Sequence, residues 1–303
     1  MDEPIKILVE NYSLSAYQVA WISIIVSILT FFITNWFKNY FQNKLLQRKL
    51  EIEHKFNEGK KIKETLAKYK IHFINACEDF NHRCKNLTKN HQENWLKRDR
   101  DYNNEYYYYH SFVYKTLVLF AWIKKIQKEM IYLDTTIASK EDLEFVKFLN
   151  VFPEILCDLA LIEGEKADGN RMKDHFFRVY FEQWSDCVIE NDNLKTYTVF
   201  IQELPENQQN LSILFRFFDG LSPLEDRKRW DRLHMLHLTI IVFLNNYGYD
   251  FQKTSKEKMR EIITKPKVSA YLKNYFIFLD KYLLLKNKEV LNLQKITEGY
   301  ILE

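Results

Sequence analysis

The chain has few of the residues that break helices. Six glycines and five prolines stand in 303 residues, well under the ~7% and ~5% of average usage. This scarcity predicts long helices and argues against a β-rich or Rossmann-type fold. Cysteine is scarce too: only Cys77, Cys84, Cys157 and Cys187 occur. They form no C-x-x-C pair, and a helix would scatter Cys77, His82 and Cys84, so no metal is expected. Small buried hydrophobes, reduced on a cytosolic side, is the reading they support. G-x-G-x-x-G, Walker A and H-E-x-x-H patterns are missing, so no cofactor is expected. A net charge of +3 is too small to argue for nucleic acid as a partner.

Charge is absent altogether from residues 11–37, a run of 27. A helix needs roughly 20 mostly apolar residues to cross a bilayer, and residues 16–37 meet that length. Asp2, Glu3, Lys6 and Glu10 precede the run; Lys38, Lys44, Arg48 and Lys49 follow it. Lys and Arg concentrate on the cytoplasmic side of a span. The N-terminus, residues 1–15, is therefore expected outside a cytoplasmic (inner) membrane, with the rest of the chain inside. Trp21 and Trp36 suit the two interfaces. A cleaved signal peptide would need a basic start and a small-residue cleavage site, whereas Asn35, Trp36 and Phe37 close this core.

Within the span, Ala16, Ala20, Ser23, Ser27, Thr30 and Thr34 follow steps of four and three, which places them on one helical face. Small and hydroxyl residues let helices approach closely in lipid. This face is expected to be a self-association seam, the alternative being hydroxyls that bond back to their own helix. Residues 38–70 hold ten Lys or Arg against four Glu. Lys38, Lys44, Arg48 and Lys49 can meet anionic lipid there, although the positive-inside rule alone produces the same bias.

Beyond the span, residues 38–60 read as a basic juxtamembrane helix and residues 61–303 as a helical domain. Leu66, Tyr69, Phe73, Cys77 and Phe80 recur at helical spacing. Residues 88–104 read as an exposed connection, and residues 105–133 as an apolar central helix. Ser139 with Asp142 predicts a capping box opening a helix to about Ile162. An amphipathic stretch from Met172 to Ile189 follows, then a mixed region at 190–210 in which Thr196 to Leu204 could form a short strand or helix. Ser222-Pro223 predicts a helix start running to a stop near Gly248. Thr254 to Glu257 predicts another, and residues 268–286 the last. The expected fold is all-α: an N-terminal transmembrane helix followed by a cytoplasmic antiparallel helical bundle.

Three patterns carry possible chemistry. Arg229 to His234 and Arg232 to His237 are overlapping R-x4-H matches, and R-x4-H resembles the signature of HEPN-type ribonucleases. In that family, helical bundles bring Arg and His of two protomers together to cleave RNA, and His suits proton transfer near neutral pH. Trp230 and Leu233 stand where the family usually has a polar residue. The bland reading has His234 and His237 on a core-facing helix, with Arg229 and Arg232 solvated or paired to Asp231 or Glu225. Glu163, Glu165 and Asp168, with Arg171 and Asp174, form an acidic cluster that reads as a solvated helix break. The Tyr106–Tyr109 run reads as core and interface area.

Three stretches together resemble a bacterial family of membrane-anchored helical proteins. They are Ser111 to Tyr114 with Phe120-Ala121-Trp122 and Ile131 to Asp134; Glu163-Gly164-Glu165 with Gly169; and Arg232-Leu233 with Leu238 to Leu244. The resemblance implies one N-terminal span and a cytoplasmic helical domain, and no transferable activity. His237 stands near a place where the family tends to have Gln. The expected function is a membrane-anchored, oligomeric partner-binding or sensing protein, with an unidentified protein partner. A membrane-tethered effector, either a nuclease or a membrane-perturbing oligomer, is the alternative.

Overall fold

The computed structural model describes residues 15–98, 106–131, 137–163, 174–190, 193–266 and 271–298. Among them the secondary structure is almost entirely α-helical. The chain divides into two units, Met1–Glu58 and Gly59–Glu303. Helix α1, Ala16–Lys89, contributes to both.

In the first unit the apolar side chains of α1 are exposed on every face. Phe31, Phe32 and Trp36 are 64–65% exposed. Trp36 stacks on Tyr40, with ring centroids 6.0 Å apart. This is the one helix among the described residues that is long and apolar enough to cross a membrane.

The second unit contains the C-terminal part of α1, then α2 (Tyr107–Met130), α3 (Lys140–Cys157), α4 (Ala160–Glu163) and α5 (Arg178–Asp186). After these come a short ladder, α6 (Tyr197–Gln202), α7 (Leu204–Phe218), α8 (Arg229–Tyr247), α9 (Lys256–Ile263), α10 (Tyr271–Lys281) and α11 (Lys288–Thr297). The ladder pairs β1 (Ile189–Glu190) antiparallel with β2 (Asn193–Leu194), Ile189 opposite Leu194.

Helix α8 carries no charged residue between Leu233 and Tyr247, and from Arg229 to Leu244 every residue is buried. A helix apolar all round belongs inside a core, and α8 packs against α3, α9 and α11. Phe73 of α1 meets Phe145, Phe152 and Phe243 edge-on at 5.2–6.1 Å, tying α1, α3 and α8 together. Such aromatic pairs contribute about 0.5–1.5 kcal/mol each beyond their buried area.

Local signals account for several helix boundaries. Ser139 Oγ accepts from the Asp142 amide at 3.2 Å, and Asp142 Oδ2 accepts from the Ser139 amide at 3.3 Å, the reciprocal capping box read from the sequence. Helix α3 stops at Cys157, short of Ile162, because Asp158 turns extended and its carboxylate caps Leu161 N. Helix α8 stops at Gly248, where a Cβ would lie 2.6 Å from the Leu244 carbonyl oxygen.

Four expectations are corrected. Ser222-Pro223 closes a turn rather than opening α8, which starts at Arg229. The mixed region holds α6 where a short strand or helix is expected, but also the start of α7, whose polar first turns hide buried Leu211, Leu214, Phe215, Phe217 and Phe218. Residues 268–286 do not hold the last helix: Asn287 caps α11 through the amides of Glu289 and Val290. The connection at 88–104 is not wholly exposed, since Leu96 is buried and its carbonyl accepts from Gly220 N at 2.9 Å.

Candidate functional site

Two regions collect the candidate residues: the exposed helix of the first unit and the start of α8 in the second. On the exposed helix, Ala16, Ala20, Ser27, Thr30 and Thr34 are open, and Ser23 is half-buried. Ser23 Oγ donates to the Val19 carbonyl at 2.9 Å. Ser27 Oγ donates to Ser23 O at 2.8 Å, and Thr30 Oγ1 to Val26 O at 2.7 Å. The hydroxyl protons are therefore used within the helix. Each oxygen still has acceptor capacity, and the face stays narrow enough for a neighbouring backbone. Lys38, Lys44, Arg48 and Lys49 follow, all exposed.

At the start of α8 the R-x4-H residues are sealed in the core. Arg229 and Arg232 are 4% and 2% exposed, His234 and His237 2% and 1%. Arg229 binds the Glu225 carboxylate through Nε and Nη2, at 2.8 and 2.5 Å. Its remaining donors reach the carbonyls of Arg216, Phe217 and Asp219, at 2.5–2.9 Å. These are carbonyls of the last turn of α7 and of Asp219 just after it, which no helical amide satisfies. Arg232 Nη1 does the same for α3, donating to Ile155 O at 2.5 Å and Asp158 O at 2.9 Å. Of the pairings weighed from sequence, Arg229 with Glu225 is present, but neither arginine is solvated.

The histidines are held as neutral rings. His234 Nδ1 lies 2.9 Å from the Trp230 carbonyl, which only accepts, so Nδ1 carries the proton. Its Nε2 faces Thr88 Oγ1 at 3.3 Å. His237 Nε2 donates to Asn81 Oδ1 at 2.9 Å. Burial pulls His234 down to about 4, with Lys265 adding to the effect against the Trp230 bond. Burial, His234 and Lys85 push His237 well below the ordinary value. A general acid–base must come within hydrogen-bond reach of its substrate, and in this arrangement neither ring presents a surface to RNA. Asn81 and Thr88, the partners from α1, gave no signal in the sequence because their role depends on packing across 146 or more positions.

The remaining candidates lie elsewhere. Asp174 pairs with Arg227 at 2.8 Å, while the side chains of Glu163, Glu165, Asp168 and Arg171 fall outside the described residues. Tyr109 is buried and donates to Phe215 O at 2.6 Å; Tyr108 donates to Arg83 O at 3.2 Å. The four cysteines are free thiols. Burial pushes Cys77, Cys84 and Cys187 up and Cys157 up to about 12, which leaves them protonated and unreactive. Among the described residues no group of three side chains is placed to hold a metal ion. The sequence also gave no sign of a cavity of about 440 Å³ between α5 and α7. Comparison with protein-family models, curated proteins and solved structures found no match.

Proposed function

We propose that the chain is a single-pass membrane protein, N-terminus outside, whose cytoplasmic helical domain binds a partner or senses a signal as an oligomer. One contrast carries the reading. Residues 16–37 of α1 and 233–244 of α8 are both free of charge, yet the α8 stretch is buried while the α1 stretch is largely exposed. Apolar surface of that extent needs a cover, and a length of roughly 20 residues suits a bilayer. The excess of Lys and Arg from Lys38 onward supports the orientation. The sequence resemblance to membrane-anchored helical proteins supports the same architecture, one N-terminal span followed by a cytoplasmic helical domain.

Alkaline extraction and cysteine labelling test the anchor and its direction. The full-length mass should be retained, and the protein should pellet with membranes after alkaline carbonate treatment. A membrane-impermeant maleimide should label Ser15→Cys in intact cells and Asn43→Cys only after lysis. Release by alkali or a shortened N-terminus removes the anchor; the reverse labelling pattern removes the orientation.

Self-association is tested separately. Replacing Ser23, Ser27 and Thr30 together with Leu should lower in-membrane crosslinking severalfold, because bulky side chains separate the helices. Unchanged crosslinking in the triple variant would exclude this face as the seam.

A further inference from the structure

We propose that the cavity between α5 and α7 is a binding site for a small planar aromatic anion. The site lies wholly within the second unit and stands whether or not α1 spans a membrane. Its volume of about 440 Å³ falls within the ~300–1,000 Å³ usual for small-molecule sites.

The back wall is rigid and aromatic. Phe176 and Phe217 are each 3% exposed and pack at 4.8 Å. Phe176 also meets Trp184 edge-on at 5.0 Å. Trp184 Nε1 donates to Asn210 O at 2.9 Å, fastening α5 to α7. The mouth carries open rings. Phe177 is 46% exposed, and half-buried Tyr180 is held in place by stacking on Trp184 at 5.2 Å and 11°. Unsaturated faces at the mouth with a fixed apolar floor favour a flat ring over a branched chain.

The charge on the rim is positive. Arg216, on the last turn of α7, and Arg227 both line the cavity, and among the described residues no carboxylate does. Asp174, just outside, orients Arg227 by accepting from Nε at 2.8 Å and also accepts from Lys228 N at 3.0 Å. With Asp174 balancing Arg227, the exposed Arg216 supplies the net charge. Guanidinium groups favour planar, forked anions such as phosphate or carboxylate. The two walls are also held in register from inside the core: Arg229 grips the carbonyls of Arg216 and Phe217, so the rim cation and the floor ring ride on one anchored turn.

Equilibrium dialysis of full-length protein in zwitterionic lipid nanodiscs tests the proposal, with empty nanodiscs as the blank. The probes are 1-naphthyl phosphate, cyclohexyl phosphate, which lacks the aromatic ring, and 1-naphthol, which lacks the anion. The naphthyl phosphate should bind at least about tenfold more tightly than either control. Arg216→Gln should weaken it about tenfold without changing the melting temperature, because the replaced side chain is exposed. Tyr180→Leu should weaken the naphthyl ester and leave cyclohexyl phosphate unaffected. Absence of saturable binding, equal binding of the three probes, or binding indifferent to Arg216→Gln would each overturn the site.

Discussion

Arg229→Ala should lower the unfolding free energy of the helical unit by about 3–5 kcal/mol, the usual result of breaking one side of a buried ion pair. The size follows from what the guanidinium leaves behind. Glu225, its side chain 15% exposed, would lose the guanidinium that pairs with it. The carbonyls of Arg216, Phe217 and Asp219 would lose their donors at the end of α7, and each buried polar group left unpaired costs about 1–3 kcal/mol. Arg229→Lys keeps the charge but cannot span a carboxylate and three carbonyls, because an ammonium lacks the planar fork; it should recover less than half of the loss. Replacing Arg229 and Glu225 together with Met should be milder than Arg229→Ala, since both members of the pair are removed and neither is left without the other. Urea unfolding of the full chain in nanodiscs, followed by tryptophan fluorescence, measures all three. A loss below about 1 kcal/mol in Arg229→Ala would mean that water replaces the guanidinium and that Arg229 does not organise the end of α7.

Arg229 also shows where sequence reading succeeds and where it stops. Signals confined to a few residues were legible. A charge-free run marked the exposed helix, Ser139 and Asp142 marked the start of α3, and three-and-four spacing picked out Leu66, Tyr69, Phe73, Cys77 and Phe80, all buried. Those features depend on the chain within one or two turns. The environment of α8 depends on distant groups. Arg229 is buried because α7 ends beside it, and Arg232 because α3 ends 74 or more positions away. Periodicity carries no record of those partners, so a pair of R-x4-H matches reads equally well as a nuclease signature or as two helix-end clamps. The same holds for α7. Glu206, Asn207, Gln208, Gln209 and Asn210 look like loop, and only the ring cluster behind them makes the segment a helix. The cavity was invisible for a related reason, since its lining comes from α5, α7 and the turn before α8.

Acid should destabilise the helical unit well before its carboxylates protonate. His110, His234 and His237 are at most 2% exposed. Burial brings His110 and His234 down to about 4, and His237 also falls well below the ordinary 6.5. Their charged neighbours are cations: Arg98 beside His110, Lys265 beside His234 and Lys85 beside His237. The unfolded chain therefore takes up these protons near pH 6.5, while the folded chain resists until about pH 4. Between those values the unfolded state binds more protons, so stability falls as pH falls. The contribution is whole above pH 6.5. It declines by up to about 1.4 kcal/mol per pH unit for each histidine that titrates. By pH 4 the loss amounts to roughly 3 kcal/mol for His234 and a similar amount for His110. His110 gives the cleanest test, because neither of its ring nitrogens has a hydrogen-bond partner among the described residues. His110→Phe removes an unpaired polar ring and keeps an aromatic one beside Phe215. It should be neutral or stabilising at pH 7.5 and should flatten the decline from pH 6.5 to 4 by about one proton's worth. His234→Gln should flatten it similarly but lower stability at pH 7.5, since its bonds to Trp230 and Thr88 are disturbed. Urea unfolding at pH 7.5, 6.0 and 5.0 decides the matter: a wild-type profile that is flat across this range would mean that the rings charge freely in the folded state through local opening.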